Sequence, residues 1–315
     1  MNSISTKDLT LAEWRKLRGN FIGGSDASAA LGNSKKYKSP YMVWLEKTQG
    51  ISFFQGNAFS NFGTLFEPIC RTHFSEKMNM KVTEPDEMFI HPEYPMLSGN
   101  VDGLIHDEGN LGLGVLEIKC TTTHRIAPHE LAQNIPIEWY TQLQHYMGIL
   151  GVEYGFLQVY YRDICEFAEP VFVERDDEFI KANNRRLSQW WKTFVEGNTP
   201  PPPSTTDDLL IKHPDSQESQ IEASINIRQR YNMLLSVRER IDGLKELKSS
   251  IEFDLKQYCG DHQAITADGK PLLTWKSSTR RSFNSKQFRK DYPELYARYQ
   301  SETQTRTLRL KQDKL

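Results

Sequence analysis

The stretch Leu97–Cys120, LSGNVDGLIHDEGNLGLGVLEIKC, constrains this chain more than any other. Two apolar runs flank a polar, glycine-rich turn, which is the pattern of a β-hairpin. In the second run, GVLEIKC, side chains alternate between faces. Glu117 and Lys119 therefore share one face, while Leu116, Ile118 and Cys120 share the other. Burying two charges on an apolar strand is costly unless each has a partner. The hairpin brings Asp102, at the end of the first strand, close to Glu117, which adds a second carboxylate rather than a counter-charge. Two carboxylates suit a hard divalent cation, since Mg²⁺ takes oxygen ligands and usually only one or two carboxylates from protein. A lysine beside such an ion can position or activate water, or steady charge on a phosphate. An isolated E-x-K is more often a solvated edge strand; Asp102 across the hairpin is what favours a site.

The remaining composition narrows the class. At 315 residues the chain has room for about two domains. Apolar content of 38% and charged content of 25% suit a globular protein with a sizeable core. No run approaches the roughly 18 apolar residues of a membrane span. The opening MNSISTKDLTLAEWRK has no apolar h-region, so the expectation is an untargeted, cytoplasmic chain. Cys70, Cys120, Cys165 and Cys259 are scattered, with no C-x-x-C, which argues against a cysteine-built zinc or iron–sulfur site. The net charge of −2 hides an asymmetry. From Lys270 to Leu315 there are 12 basic and 4 acidic residues, a balance of +8, leaving −10 for the rest. Such a basic segment suggests an anionic partner such as nucleic acid, or else a solvated basic face.

One seam is visible. Gly197–Asp208, GNTPPPPSTTDD, reads as a linker or extended loop. Before it the pattern is mixed. Helical periodicity appears around Tyr41–Glu46, Phe66–Met78, Ile137–Leu150 and Asp177–Glu196. Strand-like runs appear at Lys81–Thr83, Met88–His91, Leu97–Ile105, Gly114–Cys120, Tyr154–Tyr161 and Phe167–Val173. After it, Leu234, Val237, Ile241, Leu244, Leu247, Ile251, Leu255 and Tyr258 step by three or four within Glu218–Tyr258. That spacing predicts an amphipathic helix or helical hairpin, for packing within the protein or between subunits. AITADGKPLLTWKS then predicts a strand–turn–strand at Asp268-Gly269.

Other stretches add to the hairpin. FGTLFEPICRTHFSE opens a helix carrying Glu67. WYTQLQHYMGILG holds Gln142 and Tyr146, which share a helix face at a spacing of four. WRKLRGNFIGGSDASAALG combines Arg18, a Gly-Gly turn and Ser25. Backbone amides, a hydroxyl and an arginine there could cradle a phosphate, or Ser25 or Asp26 could cap the helix.

In this order, Asp102…Glu117-x-Lys119 has the form of the PD-(D/E)xK nuclease signature, with Val101 in place of the proline. Together with IGGSD, the helix glutamate and Gln142-x-x-x-Tyr146, it resembles the phage lambda exonuclease and YqaJ-like viral recombinase family, across roughly Trp14–Tyr161. The resemblance implies an α/β, restriction-endonuclease-like core with a mixed β-sheet flanked by helices over residues 1–200. A C-terminal helical arm, a small β-hairpin and a basic segment follow over 201–315. It implies Mg²⁺, or Mn²⁺, held by Asp102, Glu117 and the carbonyl of Ile118, with Glu67 completing the site or holding a second ion. Lys119 would orient and help deprotonate the attacking water, Gln142 would steady Lys119 or the water, and Tyr146 would support that helix. Arg18 and Ser25 would receive a 5′-terminal phosphate and Arg125 would contact the strand. Phe59 and Phe62 are wedge candidates, though core packing is the commoner role for such aromatics. The activity implied is 5′-to-3′ digestion of linear double-stranded DNA, leaving 3′ single strands for recombination. A homotrimeric ring, a single-strand annealing recombinase partner, no membrane and a phage- or prophage-encoded origin in a bacterial cytoplasm belong to the same implication. A restriction-type or structure-specific endonuclease, a RecB-type nuclease domain and a non-catalytic DNA-binding module are the alternatives.

Overall fold

The hairpin forms, and the first of two compact units is built around it. The computed structural model describes residues 2–33, 38–51, 58–109, 111–302 and 305–311. It divides into Met1–Pro214 and Asp215–Leu315. The first unit opens with β1 (Asn2–Ser5), α1 (Leu11–Gly19), α2 (Gly24–Ala30), α3 (Pro40–Gln49) and α4 (Ala58–Met78). Then come β2 (Lys81–Thr83), β3 (Glu87–Ile90), β4 (Ser98–Gly99), β5 (Gly103–Asp107) and β6 (Gly112–Thr121). They are followed by α5 (Ile137–Leu150), β7 (Tyr154–Tyr161), β8 (Glu166–Phe167) and β9 (Val171–Glu174). The unit closes with α6 (Asp177–Trp190), a π-helical turn over Trp191–Glu196 and α7 (Thr206–Lys212).

Local chemistry sets many of these boundaries. Ser39 caps α3 by accepting from the Met42 amide, Pro40 opens the helix, and Gly50 ends it in the left-handed region at φ 66°. Pro136 precedes α5 and Gly151, at φ 68°, closes it. Asp176 caps α6 through the Phe179 amide. The proline-rich seam is anchored rather than free. Asp208 is buried, accepts from the Ser39 hydroxyl at 2.5 Å, and takes the Ser204 amide at 2.8 Å.

Two runs read as single strands are each broken. Leu97–Ile105 divides into β4, which pairs with β3, and β5, which pairs with β6. Asp102 therefore stands just before β5 rather than at the end of a strand. Phe167–Val173 divides into β8 and β9, both antiparallel to β7. The helix expected from Phe66 starts earlier, at Ala58.

The main sheet has six strands in the order β2-β5-β6-β7-β8, with β9 also on β7. β5 and β6 are antiparallel; β6 and β7 are parallel, joined through α5 as a crossover. Both faces are covered. Leu116, Ile118 and Ile105 pack with Cys70 and Phe74 of α4 on one side. Val115 packs with Leu143, Tyr146 and Met147 of α5 on the other. β1, β3 and β4 form a smaller sheet.

The second unit holds α8 (Ile225–Cys259), the hairpin β10 (Ala264–Ala267) and β11 (Lys270–Thr274), α9 (Ser285–Asp291) and α10 (Pro293–Arg298). The amphipathic stretch is a single helix, capped by Ser224, and not a helical hairpin. Asp268 and Gly269 turn β10 into β11 with φ of 49° and 74°, both positive as a type I′ turn requires. Of the basic tail Gln304–Leu315, Gln304 and residues 312–315 lie outside the described residues. Among the described residues no helix is long and apolar enough to cross a membrane.

His145 on α5 yields a stability prediction. Its Nε2 donates to the Ser98 carbonyl at 3.0 Å, and its buried Nδ1 has no partner. Burial pushes its pKa down to about 4 from 6.5. Below pH 6.5 the unfolded chain takes up a proton that the folded chain refuses, so stability falls as pH drops toward 4. The loss is on the order of 3 kcal/mol. Denaturant unfolding between pH 7 and 4.5 should show a shallower pH slope for His145→Gln than for the wild type.

Candidate active site

The register of the hairpin assembles the acidic centre. Gly103 pairs with Leu116, so Asp102 falls beside Glu117 at the open end of β5–β6. Asp102 accepts the Ile118 amide on its Oδ2 at 2.7 Å, and Nη1 of Arg71 holds the Asp102 carbonyl at 3.0 Å. Arg71 is also paired with Glu84. Glu117 is fully buried. One of its oxygens is paired with Lys119, while Oε2 is buried with no hydrogen-bond partner.

The electrostatics follow from that crowding. Burial first, and then the Asp102 carboxylate, push the Glu117 pKa up to about 8. Burial, then Asp102, push Glu67 on α4 up to about 7. Burial also raises Asp102, against the pull of Lys119 and the Ile118 amide. For Lys119, burial favours the neutral amine, but Glu117 and Asp102 outweigh it and hold the ammonium. Two adjacent carboxylates, Asp102 and Glu117, with an acceptor left over and Glu67 close enough to feel Asp102, suit a divalent cation. Its charge would offset their mutual repulsion and its coordination would satisfy Glu117 Oε2. Among the described residues, no three His, Cys, Asp or Glu side chains stand grouped closely enough to hold an ion ready-made. Asp102 and Glu117 are the adjacent pair that the hairpin register brings together, and Glu67 on α4 stands apart from it.

α5 fixes the lysine. Nζ of Lys119 donates to Gln142 Oε1 at 3.0 Å, and Gln142 Nε2 donates to the Tyr146 hydroxyl at 3.0 Å. The chain Tyr146–Gln142–Lys119–Glu117 spans helix and strand without a break. Tyr146 is itself held by two glycines. A Cβ on Gly24 would lie 2.5 Å from its Cε1, and one on Gly99 would lie 3.0 Å from its Cδ1. The Gly-Gly turn therefore lets α2 sit directly on the Tyr146 ring, a role that spacing alone did not reveal.

The same turn orders a basic group. Gly23 is the residue preceding α2 and no side chain caps it, so neither Ser25 nor Asp26 is the cap. Ser25 instead accepts from Arg18 Nη2 at 2.9 Å, and the Arg18 guanidinium lies 4.7 Å from the Trp14 ring centre. Asp26 is buried and bonds Lys38 and Lys47, each at 2.7 Å. Burial alone would raise its pKa, but Lys47, Lys38 and Arg18 hold it well below the usual carboxylate range. Lys38 and Lys47 were missed in the sequence. The one signal was Asp26 itself, a carboxylate in a helix of alanines and serines.

A cleft of about 320 Å³ opens between these elements, lined by Ser25, Ser28, Lys38, Lys119, Arg125 and Gln142 among others. Arg125 lies over the Trp139 ring at 5.0 Å and pairs with Glu138. The aromatics of α4 divide. Phe62 stacks on Phe66 at 5.1 Å within a cluster that includes Tyr160. Phe59 is 66% exposed, with Arg162 over its ring at 4.3 Å.

Comparison with known proteins points one way. Residues 13–153 match the YqaJ-like viral recombinase domain. The chain is 29% identical over 327 residues to the uncharacterized protein YqaJ of Bacillus subtilis (strain 168), covering 99% of this chain and 96% of that one. Among solved structures it is similar to LHK-Exo in complex with dAMP. The TM-score is 0.50 and the identity 21%, over 64% of this chain and 96% of that one. A second structure, of an alkaline exonuclease (LHK-Exo) from Laribacter hongkongensis, gives a TM-score of 0.49 at 21% identity, over 59% and 93% of the two chains. At these identities the likeness is one of fold, and the first unit has the restriction-endonuclease-like fold.

The Tyr146 contact yields a prediction. Gly24→Ala must displace an aromatic ring and should lose about 1–3 kcal/mol, the usual range for overpacking. Gly23→Ala brings its Cβ to 3.3 Å from Arg18 Nη2, the far end of a long side chain that can yield by a few tenths of an ångström, and should lie within about 0.5 kcal/mol of wild type. Urea unfolding of both variants separates them.

Proposed function

From the match of residues 13–153 to the YqaJ-like viral recombinase domain and the geometry of the acidic centre, we propose that the chain is a metal-dependent exonuclease working from the ends of linear double-stranded DNA. Its direction would be 5′ to 3′, leaving 3′ single strands that serve recombination. The observation that carries this reading is the buried, unpartnered oxygen of Glu117 beside Asp102, with an oriented ammonium next to it.

Asp102, Glu117 and the Ile118 carbonyl would hold Mg²⁺, or Mn²⁺, with Glu67 completing the site. When bound, the ion would supply Lewis-acid stabilisation of charge at the phosphorus and lower the pKa of water. The chain's own residues do the rest. Lys119, held as the ammonium and kept in place by Gln142, orients the attacking water and steadies charge on the phosphate. Tyr146 holds Gln142, so the water-directing group rests on α5 and not on a loop. Arg18 and Ser25 face the 5′-terminal phosphate, and Arg125 steadies the strand in the cleft. Phe59, exposed on α4, suits a wedge better than Phe62, which belongs to an aromatic cluster. A ring-shaped homotrimer and a single-strand annealing recombinase as partner complete the proposal.

Two experiments test it. Linear duplex with 5′-phosphates and a closed circle of the same sequence are incubated with Mg²⁺, using wild type and Lys119→Ala. Digestion of the linear DNA alone, reduced roughly 10²–10⁴-fold in the variant, is the expected result. Cutting of the circle would replace the proposal with an endonuclease; DNA bound but never cut would replace it with a binding module. The second test compares 5′-phosphorylated and 5′-hydroxyl ends. Arg18→Ala should erase the preference for the phosphorylated end while Mg²⁺ binding, followed calorimetrically, stays unchanged.

A further inference from the structure

The second unit carries an apolar seam that the chain leaves open. Along α8, Leu234, Val237, Ile241, Leu244, Ile251, Leu255 and Tyr258 are between 40% and 80% exposed. Their spacing alternates three and four residues, the 3.5-residue repeat of a coiled-coil seam. One position in the series, Lys248, is charged. The seam runs from Leu234 to Tyr258, about 36 Å at 1.5 Å per residue. An amphipathic face of this length and regularity wants a second helix.

We infer that the partner is α8 of a second copy of this chain, packed antiparallel about a two-fold axis at Glu246. The charges flanking the seam choose this arrangement. Basic Arg238 and Arg240 flank its first half; acidic Glu252 and Asp254 flank its second half. Running the helices antiparallel sets Arg238 across from Glu252 of the second copy, and Arg240 across from Asp254. The seam closes in the same register. Leu234 meets Tyr258, Val237 meets Leu255, and Ile241 meets Ile251. Lys248 meets Leu244, with its ammonium turned outward to Glu252 of its own helix at 3.1 Å. Leu247 meets its own copy at the axis, while the Lys245 pair is the one like-charge approach.

A parallel pair loses on each count. It would put Lys248 against Lys248 inside the seam and bring Arg240 near Lys245, while Arg238 would no longer meet Glu252. Opposite charges across the interface and a buried polar residue are the features that fix orientation in helical pairs. The contact uses the second unit alone, so it is independent of any assembly made by the first.

Two measurements on the full chain test it. In a Cys165→Ser background, Ile241→Cys and Ile251→Cys are oxidised separately and as an equimolar mixture. The antiparallel register expects a cross-linked dimer only in the mixture. Cross-linking of either variant with itself would overturn that register. Separately, sedimentation compares Arg238→Glu/Arg240→Glu with Glu252→Arg/Asp254→Arg. Each alone should halve the mass of the assembly, and mixing the two should restore it. Arg238, Arg240 and Asp254 are exposed and Glu252 is half-buried on one helix face, so far-ultraviolet circular dichroism should be unchanged. Undiminished mass in both variants would show that α8 does not pair with itself.

Discussion

Glu117 is a carboxylate placed where water does not reach, in the middle of a mixed sheet, with one oxygen given to Lys119 and the other to nothing. An ionised carboxylate in such a position is tolerated only when other charges or an ion balance it. Much of the first unit is arranged around that demand. The β5–β6 register brings Asp102, and α4 brings Glu67. The α5 crossover brings Gln142 to the far side of Lys119, so the ammonium is held from two directions. A site built on strands and a helix is held more tightly than one built on loops. The raised pKa values of Glu117 and Glu67 are the electrostatic record of the same crowding, and strongly perturbed groups in a cleft are where chemistry is expected.

Much of this was legible in the chain, because the signals were local. Alternation placed Glu117 and Lys119 on one face, and the structure puts Leu116 and Ile118 in the opposite cluster. A spacing of four put Gln142 and Tyr146 together, and they are hydrogen-bonded. Asp268-Gly269 marked the turn between β10 and β11, and both residues take the positive φ of a type I′ turn. The misreadings had non-local causes. Ser98 and Gly99 leave the run that contains them because β3 recruits them, and nothing in the run announces that partner. Asp26 reads as a helix cap until Lys38 and Lys47, 12 and 21 residues on, close around it. Gly24 reads as a turn glycine, whereas the limiting atom belongs to Tyr146.

Asp26 and Glu117 show why buried carboxylates differ. Asp26 has two lysines at hydrogen-bond distance and is held well below the ordinary range. Glu117 has one lysine, two neighbouring carboxylates and a spare acceptor, and moves up to about 8. The first is a satisfied triad that ties α2, through Lys47, to α3. The second is unsatisfied on its own. Charge count around the group, and not burial, separates a structural carboxylate from one waiting for a ligand.

The same reasoning applies to α8, with the sign of the surface reversed. In the first unit a charge is buried without enough counter-charge; in the second an apolar stripe is exposed without enough cover. Each is a place where sequence pattern and local structure agree, yet the isolated chain leaves the result incomplete. A sequence that specifies its own fold is expected to be consistent across levels, and its departures mark where something else binds. Glu117 lacks positive charge, which the proposed ion would supply. α8 lacks a helix whose basic and acidic ends run opposite to its own, and the helix that meets that description is α8 itself, turned end for end.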